Sequence, residues 1–233
     1  MTALTVRRIA AKAAIAGVGL LAVAGLSACR VETGAALFVQ DERVTEQQVD
    51  DIVESAPEIG PDGPIELATA RRNVVTWLAT SELAERVSAE TGTALPTPDY
   101  AGEAALLKVD GDNEYARLQA QHKAYLPVLV SGAAPAELTD EMSAEILAPV
   151  TEATGKPTSD YQPGLAQVFT EPAAQAALGQ RQALADLVAE YDVLANPRYG
   201  DLGIGLGVMT LVDPSTQQQF QLALVAPIPT TTS

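Results

Sequence analysis

One cysteine, Cys29, occurs in the 233 residues, and its setting constrains the fold more than any other feature. Arg7, Arg8 and Lys12 stand upstream, every side chain from Ala13 to Leu26 is apolar or Gly, and no acid precedes Glu32. A basic start, a short apolar run and small residues at its end describe a secretory signal. The run falls short of the roughly 20 residues that cross a bilayer comfortably. Gly17, Gly19 and Gly25 weaken it further as a helix.

Leu26-Ser27-Ala28-Cys29 resembles a bacterial lipobox, an aliphatic residue and two small residues followed by Cys. The resemblance implies that the Cys29 thiol receives a diacylglycerol with palmitate-like chains. Cleavage between Ala28 and Cys29 then leaves Cys29 as the first mature residue. Two acyl chains anchor stably where one holds only marginally. The expected partner of Cys29 is membrane lipid, and the expected place is the extracytoplasmic face of the cell membrane. A lipidated cysteine leaves no disulfide, thiolate nucleophile or Cys-based metal site. The mature fold therefore rests on packing.

Residues 1–28 read as signal peptide and 29–34 as lipidated tether. Removing the signal takes three basic side chains and no acid, so 11 bases face 30 acids, a net charge of −19. That surface repels nucleic acid, whose phosphates need Lys and Arg, and it repels anionic lipid headgroups. Partners are expected to be neutral or basic.

Ala35–Val39 reads as a strand and 40–43 as a turn. Thr45 with Gln48 forms a capping box, Val44 with Val49 a hydrophobic staple, and Glu46 suits the helix dipole. Val49, Ile52, Val53 and Ala56 continue at helical spacing until Pro57. Further helices are expected over 65–91, 99–107, 113–130, 136–150 and 172–194, with 151–164 as a polar connection. Leu67, Val74, Trp77, Leu78, Ala84 and Val87 give the longest helix its apolar side, with Gly92 as its stop. Leu202, Ile204, Leu206 and Val208 alternate with Gly203, Gly205 and Gly207, which reads as a strand with one bare face. A turn at 213–216 leads to a return strand over 220–225, and 226–233 reads as a flexible tail. The first strand is expected to pair with the strands after 200. The class is mainly α, with a small β element formed by the N- and C-terminal strands and one domain over 35–225.

Catalytic patterns are weak. His122 is the only histidine, read as an exposed helix residue, and no nucleophile elbow occurs. Asp110-Gly111-Asp112-Asn113-Glu114 opens like a calcium loop, but Tyr115 stands at the sixth position and Gln121 at the twelfth. Asp50 and Asp51 are helix neighbours and point apart. No metal, cofactor or catalytic residue is expected. Trp77, the only tryptophan, reads first as a core anchor.

Leu37 to Asp50 resembles the opening of the SurA N-terminal domain family, in which a strand, a turn and a second short strand lead into a capped helix. Arg71-Arg72-Asn73-Val74-Val75-Thr76-Trp77-Leu78 is similar to that family's next segment. Asn196-Pro197-Arg198-Tyr199-Gly200 is similar to a motif near the C-terminus of related lipoproteins. The resemblance implies a SurA-N-like helical module acting as a chaperone that holds unfolded secreted polypeptides. It makes Trp77 the candidate apolar wall of a client-facing groove. Relatives often carry a parvulin domain, which uses histidines; only His122 is available here, so no parvulin domain and no isomerase activity is expected. Holding without turnover is the expected function. The alternative is a non-enzymatic scaffold that binds an envelope protein.

Overall fold

The computed structural model describes residues 34–61, 63–212 and 218–231. The segment that resembles a lipobox, including Ala28 and Cys29, lies outside the described residues.

The fold is mostly helical, with small antiparallel sheets. Strand β1 (Ala35–Val39) turns into β2 (Glu42–Thr45), so Glu42 and Arg43 belong to a strand rather than to the turn. Helix α1 (Glu46–Glu54) starts at the expected capping box. Gln48 N–H donates to Thr45 Oγ1 at 3.2 Å, and Thr45 N–H donates to Gln48 Oε1 at 2.7 Å. Val44 and Val49 are both buried beside it. Two short strands follow, β3 (Ile59–Gly60) and β4 (Gly63–Pro64).

Helix α2 (Leu67–Thr91) closes at Gly92 in the left-handed conformation. Its buried face carries Val74, Trp77, Leu83 and Ala84, but Leu67, at the first position, is 62% exposed. Asp99 caps α3 (Tyr100–Leu107) and Asn113 caps α4 (Glu114–Leu129), each accepting a backbone N–H with its side chain. Tyr115, Leu118, Tyr125 and Leu129 all face the core.

The chain from 131 departs more from expectation. Helix α5 is Asp140–Thr154, beginning four residues later than its apolar pattern alone indicates. Thr139 Oγ1 caps it, and Asp140 and Glu141 occupy its first turn. The expected polar connection, 151–164, is partly helical: α5 runs into it to Thr154, and α6 (Gln162–Val168), flanked by buried Tyr161 and Phe169, begins within it. Helix α7 (Pro172–Glu190) stops short of 194. Asp192, at φ 45°, turns the chain, and Val193–Ala195 becomes strand β5.

β5 corrects the expected pairing. β1 lies between β2 and β5, and among the described residues no strand after 200 pairs with β1. Strands β6 (Leu202–Val212) and β7 (Gln219–Ile228) pair with each other as a separate hairpin. The chain end still returns to the first sheet, because Thr230 bridges Ala195 in parallel. Ala226 and Ile228 lie in β7 and are buried, so the segment expected as a flexible tail is core through Ile228.

Two apolar clusters result. The larger joins β1, α1, α2 and α4 to the second half of α7, β5 and the base of the hairpin. The smaller joins α5, α6 and the first half of α7 to the far half of the hairpin. Leu206 packs against both. A bulge between Gly205 and Gly207 sits at that seam, with Gly207 at φ 152°. An extra residue re-phases the strand. Val208, expected inside with Leu202 and Ile204, is turned outward and is 64% exposed.

Candidate functional site

The segments that carry the family resemblance meet in space. Arg72 on α2 donates from Nη1 to the Tyr199 carbonyl at 2.6 Å and from Nη2 to the Asp201 carbonyl. Asn196 Nδ2 donates to the Ala35 carbonyl at 2.8 Å. The Tyr199 hydroxyl donates to Glu46 Oε2 at 2.6 Å, and Arg198 pairs with the same carboxylate at 3.2 Å. Burial, and then this hydrogen bond, hold the Tyr199 phenol well above its usual range. Arg71 reaches Asp50 at 2.6 Å, tying α1 to α2. This clasp uses most of its polar groups on one another and on backbone carbonyls, while Glu46 Oε1 is buried without a hydrogen-bond partner. Its work is structural, joining the start of the described chain to the 196–201 turn.

Trp77 is 7% exposed, with its ring edge-on to Tyr115 at 4.9 Å. It is a core anchor, which corrects its candidacy as a client-facing wall. The sequence carries the reason, since Trp77 shares a helix face with Val74 and Ala84, and burying a large ring is strongly favourable.

His122 is also corrected. It lies partly buried beside Trp77, with Nδ1 at 3.0 Å from Thr80 Oγ1. Thr80 spends its hydroxyl hydrogen on the Thr76 carbonyl, so Nδ1 carries the imidazole proton and donates. Burial first, and Lys123 second, lower the His122 pKa to about 4. The ring is therefore neutral at physiological pH, without a carboxylate orienting it as a triad would require. Among the described residues no group of three or more His, Cys, Asp or Glu could hold a metal ion. No described helix is long and apolar enough to cross a membrane.

The surface that stands apart is the outer face of the β6–β7 hairpin. Its cross-strand pairs are Gly203 with Pro227, Gly205 with Val225, Val208 with Ala223, Thr210 with Gln221 and Val212 with Gln219. Neither strand contains a charged residue, although charged residues make up 19% of the chain. Val208, Val212 and Val225 are 64%, 41% and 37% exposed. A Cβ placed on Gly205 would meet nothing within 4 Å, so the bare patch expected there is open. The sheet has two strands, so each has one edge without a strand neighbour. Such edges are ordinarily blunted with charge or Pro; here Pro227 lies in β7, and the buried Arg181 donates from Nε to the Val225 carbonyl at 2.9 Å. Sequence reasoning found both strands and their bare glycines. It missed the exposure of Val208 and Val212, because the bulge in β6 decides which face they occupy.

No family model, curated protein or solved structure matches the chain.

Proposed function

We propose that the chain is a membrane-anchored extracytoplasmic holdase, SurA-like in its helical module, that binds unfolded or extended polypeptides without turning them over. The observation that carries this reading is the uncharged, open outer face of β6–β7 on an otherwise acidic molecule. An extended segment can lie on such a face or add to an edge, with main-chain hydrogen bonds giving affinity and little demand on sequence. The acidic remainder keeps the loaded molecule soluble and disfavours acidic clients. The clasp supports the family reading, because it brings together the segments that resemble SurA-type proteins. The lipobox supports the anchor and the location.

The test is an aggregation assay. The chain from residue 30, which keeps every described residue, is present while a denatured client is diluted, and light scattering is followed. Suppression near stoichiometric amounts is expected, and the double change Val208→Glu, Val225→Glu abolishes it without loss of helical circular dichroism. No suppression at large excess overturns the reading and leaves the scaffold alternative, in which the same face serves one folded envelope protein. The anchor has its own test. Cys29→Ser is expected to accumulate as an unprocessed, unlipidated precursor, and a normally processed membrane-bound variant would refute the lipobox.

A further inference from the structure

The two edges of the β6–β7 hairpin differ in what their main chains meet. In an antiparallel ladder, opposed residues alternate between pairs that bond each other and pairs that do not. Residues of the second kind aim N–H and C=O away from the partner strand. The Val225 carbonyl accepts from Arg181 Nε at 2.9 Å, and Pro227 has no N–H to give to a ladder. Their pairs, Gly205–Val225 and Gly203–Pro227, are therefore of the second kind. Counting by twos along β7, so are Val208–Ala223 and Thr210–Gln221. Gly203, Gly205, Val208 and Thr210 thus aim their main-chain groups at the outer edge of β6. Among the described residues, no bond outside the ladder reaches the main chain of these four.

The other strand edges are guarded. β2 is four residues long and carries Glu42 and Arg43. The free side of β5 is taken by the chain end: Ala195 N–H donates to the Pro229 carbonyl at 2.8 Å, and the Ala195 carbonyl accepts from Thr231 N–H at 2.9 Å. β3 and β4 have two residues each. On β7, Arg181 and Pro227 occupy the edge. Shortness, charge, Pro and cover are the ordinary ways of keeping an edge from pairing. The outer edge of β6 from Gly203 to Thr210 has none of them.

A row of main-chain donors and acceptors at strand spacing is matched by another extended main chain. The outer face of the hairpin measures about 33 Å by 10 Å, roughly 300 Å². A stable complex of two folded proteins needs about 800 Å² on each partner, and a second copy would bring a second strongly acidic body against the first. One added strand has neither difficulty. Thr210 also lines a cleft of about 600 Å³ between α6 and the tip of β6. Glu171 is the only charged residue lining it among the described residues, which suits a basic side chain there.

We propose that the outer edge of β6, from Gly203 to Thr210, takes one extended segment of another polypeptide as a third strand. The segment is uncharged along its length and carries a basic side chain where it reaches the α6 cleft. Unfolded polypeptide as the ligand rests on the holdase reading; capture by main chain on this one edge goes beyond it.

The probe is acetyl-Lys-Val-Phe-Val-Thr-Lys-amide, titrated by calorimetry into the mature chain, with hydrogen exchange followed over 203–210. Saturable binding is expected, and amides of this segment that exchange fast in the free chain become slow. The same peptide N-methylated at Val, Phe, Val and Thr keeps its side chains but loses their main-chain donors. It is expected to bind at least about tenfold more weakly. Gly205→Pro removes an outward N–H where a Cβ would meet nothing within 4 Å. It is expected to weaken binding at least about tenfold with circular dichroism unchanged. If that variant does not fold, exchange in the unaltered chain still decides. No saturable binding overturns the proposal. Equal binding of the methylated peptide, or edge amides that stay fast in the complex, overturns it and places the segment on the face. Edge amides already slow in a chain that sediments as a dimer overturn it in favour of a second copy. Unsuppressed scattering with peptide-protected edge amides removes the holdase reading alone. Suppressed scattering with unprotected edge amides removes the edge alone.

Discussion

The two apolar clusters are tied together over very different stretches of chain. In the larger one, hydrogen bonds join residues 127, 153 and 161 positions apart, Arg72 to Tyr199, Tyr199 to Glu46 and Asn196 to Ala35. In the smaller one, Tyr161 reaches Thr154 seven positions away, and Arg181 reaches Glu145 and Val225 at 36 and 44. Distant contacts cost more loop-closure entropy and form later. The larger cluster therefore closes the chain on itself, whereas the smaller is tied by hydrogen bonds over shorter spans and leans on the first through α7 and the hairpin. Regions of that kind open separately from the whole. The uncharged hairpin face spans both, so its rigidity differs from base to tip.

The strongest way to break the comparison is Gly179→Ala. Gly179 lies on α7, and a Cβ there would stand 1.8 Å from the Ala134 carbonyl oxygen. Alanine favours a helix by about 1 kcal/mol, but backbone cannot yield as a side-chain tip does. A net loss of about 3 kcal/mol is expected in urea unfolding. Hydrogen exchange is expected to rise first in α5 and α6, while α2 and α4 stay protected. Uniform loss of protection would show that the two clusters form one cooperative unit.

Arg72→Ala attacks the other side. It removes two charge-assisted hydrogen bonds to carbonyls, at a cost of about 2 kcal/mol in the same measurement. Exchange should then rise around β1 and the 196–201 turn, with α5 and α6 unaffected until global unfolding.

His122 sharpens the comparison through pH. Its folded pKa of about 4 lies below the unfolded value of 6.5, so the unfolded chain binds more protons between these limits. Stability attributable to His122 is complete above pH 6.5 and is lost as pH falls. Between pH 6.5 and 5 the loss is about 1.5 kcal/mol. His122→Gln is expected to flatten unfolding free energy over that window, and an unchanged slope would refute the buried neutral imidazole. Thr45→Ala should cost the least, about 1 kcal/mol, read as a small drop in Tm with α1 frayed at its start.

Legibility in the sequence followed the range of the interactions. The boundary at Thr45 was readable because the capping box and staple act within five residues. The stop at Gly92 was readable for the same reason, and the caps that the structure shows at Asp99 and Asn113 act over equally short spans. The start of α5 was also written locally, in Thr139-Asp140-Glu141, but the apolar pattern upstream masked it. Leu194 fitted the helical period of α7 and yet lies in β5, because a three-residue apolar run is compatible with either period. Trp77 and His122 sit on one surface with Thr80, so their shared burial depends on α2 packing against α4. Arg181, buried between Glu145 and the Val225 carbonyl, carries no sequence signal at all.

By itself the sequence determined the signal-like start, the lone cysteine in a segment that resembles a lipobox, the acidic balance and most helix ends. These depend on residue type and on contacts within a few positions. Tertiary structure decided which strand lies beside β1, which face of the hairpin the valines occupy, and which polar atoms lack partners. Those outcomes depend on where distant segments come to rest. A single bulge residue or one left-handed Asp192 redirects them without changing any local propensity.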